Sequence, residues 1–417
     1  MTSTQVGFVA LYGDNTLPLF GFRRPASNGH TASIPAATTQ APTGPATGNS
    51  RTPAGAAVGG VDDAAVLQAL RSVEDPDLHR DIVALGMIKN IVITPGDQGV
   101  HVAFTFELTT PACPVRDQLQ AAARAAVLTL PGVEAVDVAM TANVRGGAQR
   151  AELPGVRNTI GIASGKGGVG KSTVATNLAV ALARTGARVG LLDADIYGPS
   201  VPAMLGLHEN PNVINERLQP LRAYGVLVMS MGFLVPDDQA IIWRGPMISQ
   251  AVAQMIRDVD WVELDYLLID LPPGTGDVQL TIAQVLNLTG IVIVSTPQHV
   301  ALGIAAKAHA MFKQLHVPIL GFVENMSYFV CTHCGERTDI FSHGGAHRLC
   351  EQLHAPFLGE VPLDEQVRES GDRGVPISAQ PDASPQRDAF DRVAKAMAAQ
   401  VSIRASRALP LLQIERR

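Results

Sequence analysis

The sequence predicts an α/β fold: a parallel sheet with helices on both faces, preceded by a small α+β domain and a disordered amino-terminal tail. Three observations carry that expectation. A glycine-rich loop joins the apolar run Thr159-Ile160-Gly161-Ile162-Ala163 to a helical stretch in which Val174, Leu178 and Leu182 recur until Gly186. Further unbroken apolar runs, at 189–192, 266–269, 291–294 and 319–323, alternate with helical stretches. Such runs are strands buried on both faces, hence parallel neighbours under helices. Ahead of them, Val100, Val102, Phe104 and Phe106 alternate with His101, Ala103 and Thr105, the pattern of a half-buried strand.

Residues 25–60 are dominated by Ala, Pro, Thr, Gly and Ser, with too little apolar surface to offset ordering entropy. Residues 1–60 are therefore expected to form a disordered tail, in which apolar Val6–Phe22 reads as a docking peptide or an over-extended translation start. The small domain is expected over 61–146. Asp62 precedes a helix with Ala65, Leu67 and Leu70, ended by Glu74-Asp75-Pro76-Asp77. Thr109-Thr110-Pro111-Ala112-Cys113-Pro114 leads into a helix with Val115, Leu119, Val127 and Leu130, and Val133–Val138 returns as a strand. Gly146–Pro154 reads as a linker, 157–400 as the sheet domain and 401–417 as a carboxyl-terminal tail.

At 417 residues the chain has room for two domains and a large core. Its net charge of −6 argues against nonspecific nucleic-acid binding as the main task. No run of 18 apolar residues is present, so no membrane span is expected. Arg23 and Arg24 follow the apolar start instead of preceding it, the wrong order for a secretory signal. Four cysteines make no disulfide framework, and two stand as C-x-x-C, which points to metal or redox chemistry in a reducing compartment, the cytoplasm.

The loop Gly165-Lys166-Gly167-Gly168-Val169-Gly170-Lys171-Ser172-Thr173 contains G-x-x-x-x-G-K-[ST], the phosphate-binding pattern. Its backbone N–H groups crowd phosphate oxygens, Lys171 reaches the β/γ-phosphates, and the Ser172 hydroxyl is placed to hold Mg²⁺. Asp193 and Asp270 each end an apolar run, where ligands of parallel sheets bind. Asp270 is the expected carboxylate facing Mg²⁺, directly or through a water, and Asp193 a supporting group. Gly274 and Gly276 give freedom to a loop that moves when the γ-phosphate leaves.

Cys331-Thr332-His333-Cys334 supplies half a tetrahedral ligand set. Three completions stay open on chemistry alone: two chains sharing a [4Fe–4S] cluster, a zinc site with His343 and His347, or a redox dithiol. Cys113, expected at the start of a helix, is a candidate thiolate and transient cluster ligand.

The form K-G-G-x-G-K-[ST], with its early Lys166, resembles the deviant Walker A P-loop of the MinD/ParA, nitrogenase iron protein and Mrp/ApbC group of NTPases. That resemblance implies that Lys166 crosses a homodimer interface to the partner's nucleotide and that Asp195 positions the attacking water. Asp193-Ala194-Asp195-Ile196-Tyr197-Gly198-Pro199-Ser200, Gly321–Tyr328 running into Cys331 and Cys334, and Gly359–Asp364 are similar to the Mrp/ApbC iron–sulfur carrier ATPases specifically. The implied function is an ATP-binding, slowly hydrolysing carrier. Its Cys331 and Cys334 bridge a labile [4Fe–4S] cluster with the partner chain, its Asn325 contacts adenine, and it passes the cluster from scaffold to apo-proteins. Asp75-Pro76-Asp77, Gly86-Met87 and Thr109–Pro114 resemble the small SufT-like iron–sulfur assembly domain. Two rivals are a MinD/ParA-like positioning ATPase and a zinc-binding regulatory NTPase. The first calls for a carboxyl-terminal amphipathic helix, which Pro410 and the weak stripe of 401–417 do not suggest.

Overall fold

The computed structural model describes residues 60–408 except 145, 147–152, 197, 235–244, 275, 277, 278, 280, 281, 284 and 285. The expected tail with Val6–Phe22, most of the linker, and residues 409–417 lie outside the described residues.

In the small domain, Asp62 caps helix α1 (Asp63–Leu70) by accepting the Ala65 N–H at 2.8 Å, one of the donors that a first turn leaves open. Val66 and Leu70 are the buried face of α1, while Ala65 and Leu67 are only half-buried. Strand β1 (Ile88–Pro95) runs antiparallel to β2 (Val100–Leu108), and β2 runs parallel to β3 (Val133–Ala142). A parallel neighbour requires a crossover, supplied here by α2 (Arg116–Leu128). The alternation along β2 buries Val102, Phe104 and Phe106 against Leu119, Ala123 and Val127 of α2. Each such side chain contributes about 1.5–3 kcal/mol when fully buried.

The large domain is built on a nine-stranded sheet, beside a short antiparallel pair of Val213–Ile214 with Arg217–Leu218. Its strands are β4 (Thr159–Ser164), β5 (Val189–Asp193), β6 (Leu221–Ala223), β7 (Val226–Ser230), β8 (Tyr266–Asp270), β9 (Gly290–Ser295), β10 (Ile319–Val330), β11 (Arg337–Thr338) and β12 (Phe357–Leu363). They lie in the order β6-β7-β5-β8-β4-β9-β10-β11, with β12 also on β10. All are parallel except β6 and β11, so the expected parallel sheet carries antiparallel additions. Strands β4, β5, β8 and β9 are buried at every residue, which is why they read as unbroken apolar runs. The helices include α3 (Lys171–Arg184), α4 (Val201–Met204), α5 (Gly245–Asp258), α6 (His299–Gln314), α7 (Gly345–Leu353), α8 (Glu365–Asp372) and α9 (Pro385–Ala408). Helix α9 packs on α3 and β12 and runs past residue 400, with Val401 and Ala405 buried, so the tail expected from 401 is instead packed helix as far as Ala408.

The small domain meets the sheet at the strand ends opposite the phosphate loop. The Thr110 and Tyr266 hydroxyls lie 2.9 Å apart in a buried contact, and Tyr266 is the first residue of β8. Arg157 donates to the Val144 carbonyl at 2.8 Å and to Asn143 at 3.2 Å. No helix among the described residues is long and apolar enough to cross a membrane.

Candidate functional site

Strand β4 lies between β8 and β9, so the loop after Ser164 emerges at the centre of the sheet. Gly168 and Gly170 hold φ of +79° and +77°, a conformation that side chains penalise, and Gly170 is the residue from which α3 starts. A Cβ on Gly165 would meet the Ile304 backbone carbon at 2.8 Å. The first turn of α3 therefore points its free N–H groups into the loop, an anion cradle. Lys166 and Ser172 are half-buried, Gly167 is exposed and Val169 is buried. Among the described residues Lys166 has no ion-pair partner. Thr173 accepts the Asn177 amide through its carbonyl at 2.9 Å, helping to fix α3.

Lys171, 6% exposed, donates to Asp270 Oδ1 at 2.5 Å and to the Ser172 hydroxyl at 3.3 Å. Asp270 and Asp193 pair side by side at the ends of β8 and β5. Both are fully buried. Burial, partly offset by Lys171, pushes the Asp270 carboxyl up; burial and then the Asp270 charge push Asp193 up to about 7. Asp193 is a structural anchor. Its Oδ1 accepts the Asp195 N–H at 3.1 Å, and its Oδ2 accepts the Val201 N–H at 3.2 Å and the Ser230 hydroxyl at 3.1 Å. The segment carrying Asp195 is thereby pinned at both ends. Among the described residues, Asp195 Oδ1 and Asp270 Oδ2 are buried without hydrogen-bond partners. Buried orphan oxygens beside one lysine are a donor set that suits a hard cation. Gly274, at φ +102°, donates to the Ser164 carbonyl at 3.1 Å and so ties the loop after β8 to the end of β4.

Asn325 sits in the middle of β10, and its amide donates to the Val169 carbonyl at 2.8 Å. A Cβ on Gly170 would collide with that amide nitrogen. Strand β10 then ends at Val330, and Cys331–Cys334 form the turn of a hairpin with β11. The Cys331 N–H donates to the Glu336 carbonyl at 2.9 Å and Gly335 N–H to the Cys331 carbonyl at 2.8 Å. Backbone N–H groups of Cys334 and His333 aimed at the Cys331 sulfur hold its thiol below the ordinary range. Cys334 is exposed and Cys331 half-buried, so both sulfurs are offered outward.

Residues 155–398 match the family described as NUBPL iron-transfer P-loop NTPase, and residues 63–138 match the description iron–sulfur cluster assembly protein. The chain belongs to the NUBPL iron-transfer P-loop NTPase family. The iron–sulfur cluster carrier protein of Deinococcus radiodurans is 51% identical over 349 residues, covering 83% of this chain and 97% of that protein. The protein of the same description from Synechocystis is 47% identical over 355 residues, covering 82% and 98%. A solved structure, a nucleotide-binding protein from Archaeoglobus fulgidus in complex with ADP, is 43% identical, covers 54% of this chain and 90% of that one, and superposes with a TM-score of 0.49.

Two sequence readings of this NUBPL-family chain are corrected. The in-chain zinc set of Cys331, Cys334, His343 and His347 is not assembled: His343 Nε2 lies 2.6 Å from Glu360, and His347 packs on Glu351 and the Phe357 ring. Among the described residues the one grouping of possible ligands is Glu324, His343 and Glu360, without a cysteine. Cys113 is not at a helix start, because α2 begins at Arg116. Cys113 packs on the small-domain core, and burial, with the charges of Asp75 and Asp77, pushes its thiol up to about 11. Ser230, which holds Asp193, escaped sequence reading altogether; its parallel register with Asp193 is visible only in the sheet.

Proposed function

We propose that the chain is an ATP-binding and ATP-hydrolysing iron–sulfur cluster carrier of the cytoplasm. Two copies form a homodimer, bind a labile [4Fe–4S] cluster through Cys331 and Cys334 of each, and pass it from a scaffold to apo-proteins. The observation that carries this reading is strand β10, which grips the phosphate loop through Asn325 and ends in an outward-facing cysteine pair with a lowered thiol. Relatives described as iron–sulfur cluster carriers, matched over almost their whole length, support it.

In this reading residues 61–146 are an assembly domain, 157–400 together with the remainder of helix α9 the ATPase, and the segment 1–60 its tail. The loop N–H groups at Gly165–Thr173 cradle the phosphates, and Lys171 exchanges Asp270 for the β/γ-phosphates. The Ser172 hydroxyl and the Asp270 carboxylate are the groups that would hold Mg²⁺, and the orphan Asp270 Oδ2 fits that role. The ion supplies charge neutralisation at the phosphates. Asp195, with its own orphan oxygen, orients the attacking water in line with the γ-phosphate. Lys166, half-buried and without an ion-pair partner among the described residues, reaches across the dimer to neutralise charge developing on the transferred phosphoryl group. Asn325, already against the loop at Val169, would contact the adenine.

Anaerobic reconstitution with iron and sulfide, followed by metal analysis, tests the reading. A brown, oxygen-sensitive protein is expected, with the colour lost in Cys331→Ala. A colourless product, or tight zinc that survives air, overturns it.

A further inference from the structure

Between the phosphate loop and the cysteine hairpin, β10 is not a plain strand. Met326 has φ of +55°, and the pairing of β10 with β12 shifts register between Asn325 and Phe329. A bulge would let motion at Asn325 dissipate before it reached Cys331. Here it is pinned. Glu324, fully buried, accepts the Gly344 N–H at 2.9 Å and the Ala346 N–H at 2.6 Å, which places its charge on the N-terminus of α7. The Ser327 hydroxyl donates to Glu324 at 2.6 Å and lies 3.2 Å from Glu360 on β12. Glu360 also meets His343 at 2.6 Å, and the His343 ring lies edge-on to Tyr328, centroids 6.3 Å apart. Tyr328 carries the Arg337 guanidinium 4.0 Å above its ring, and Arg337 belongs to the second strand of the cysteine hairpin. The Glu324–His343–Glu360 grouping is thus accounted for by hydrogen bonds to α7 and Ser327, with no metal needed.

We propose that Ser327, Glu360 and His343 are positioning residues that brace the bulge of β10, so that displacement of Asn325 by nucleotide moves Cys331 and Cys334 as one body. The chain of contacts runs from the Val169 carbonyl through Asn325, Glu324, Ser327, Glu360, His343 and Tyr328 to Arg337. Asn325 and Glu324 are joined through the backbone of β10, and every other step is a packed or hydrogen-bonded pair, the physical medium in which coupling travels. The inference rests on the reading of β10 as the link between a nucleotide site and a cluster site.

The test uses full-length protein before reconstitution, kept anaerobic. Alkylation of Cys331 and Cys334 is timed by mass spectrometry with ADP and with a non-hydrolysable ATP analogue. Wild-type rates are expected to differ between the two nucleotides by at least about fivefold, the lower end of ordinary coupling. In Ser327→Ala and Glu360→Gln the rates should converge to within about twofold, while nucleotide affinity stays within about twofold of wild type. Ser327→Thr, which keeps the hydroxyl, should restore the difference. His343→Gln repeats the measurement at a side chain 35% exposed, where no buried group is altered. Variants that keep the wild-type ratio, or wild-type rates equal in both nucleotides, overturn the proposal. Iron and sulfide retention by the wild type is read separately: intact retention with no nucleotide effect defeats the coupling alone. A nucleotide effect without retention defeats the carrier reading alone.

Discussion

At the scale of single residues, environment separates the cysteines into two kinds. Cys331 has backbone donors on its sulfur, whereas burial pushes Cys113 to about 11 and Cys350 to about 12. Thiolate is the reactive form, so at pH 8 roughly one Cys113 in a thousand is ionised. Iodoacetamide is therefore expected to label Cys331 first and to leave Cys113 and Cys350 unlabelled until the protein unfolds; early labelling of Cys113 would contradict this. Asp193 gives a pH effect of definite sign. Its folded carboxyl, near 7, lies above the ordinary value of 3.8, so the folded state binds the extra proton between those values. Stability of the nucleotide-free protein should fall as pH rises from about 4 to about 7, and Asp193→Asn should flatten that fall in urea titrations. Lys171 and Asp270 form a buried pair, and Lys171→Met strands the carboxylate. A loss of about 3–5 kcal/mol is expected for that variant in denaturant unfolding, with nucleotide binding abolished.

At the scale of elements, the phosphate loop, the strands beside it and the alternation of β2 were legible because their signals are local. Apolar runs, glycine spacing and period-two burial need no distant partner. What was not legible depends on residues far apart in sequence. Ser230 reaches Asp193 across 37 positions, and Asn325 reaches Val169 across 156. Glu324 follows directly on the apolar run 319–323, yet its partners on α7 are invisible until the chain is folded. Pro111 suggests a helix start at Cys113, earlier than the Arg116 start the fold adopts. The loop itself offers a sharp test. Gly170→Ala forces a side chain into a left-handed conformation and against the Asn325 amide. Nucleotide affinity measured by calorimetry should weaken by about tenfold or more, equivalent to about 1.4 kcal/mol.

At the scale of the whole molecule, the two domains are joined on the side of the sheet away from the nucleotide. Tyr266 begins β8 against Thr110, and Asp270 ends it about 13 Å away at the usual strand rise. Tyr266→Phe removes one buried hydrogen bond and should lower stability by about 1 kcal/mol without changing ATP hydrolysis. A matching loss of hydrolysis would show that the joint does more than hold the domains together. The cysteine hairpin lies beyond the opposite end of the sheet, at the end of the twelve-residue strand β10, and presents its sulfurs outward. One pair leaves an iron–sulfur cluster half-ligated, so the account requires a second copy of the chain. Native mass spectrometry of the anaerobically reconstituted protein measures that directly. The expected species is two chains holding a single [4Fe–4S] cluster, reduced to bare chains in Cys331→Ala; a cluster or a zinc ion held by one chain alone would contradict the account.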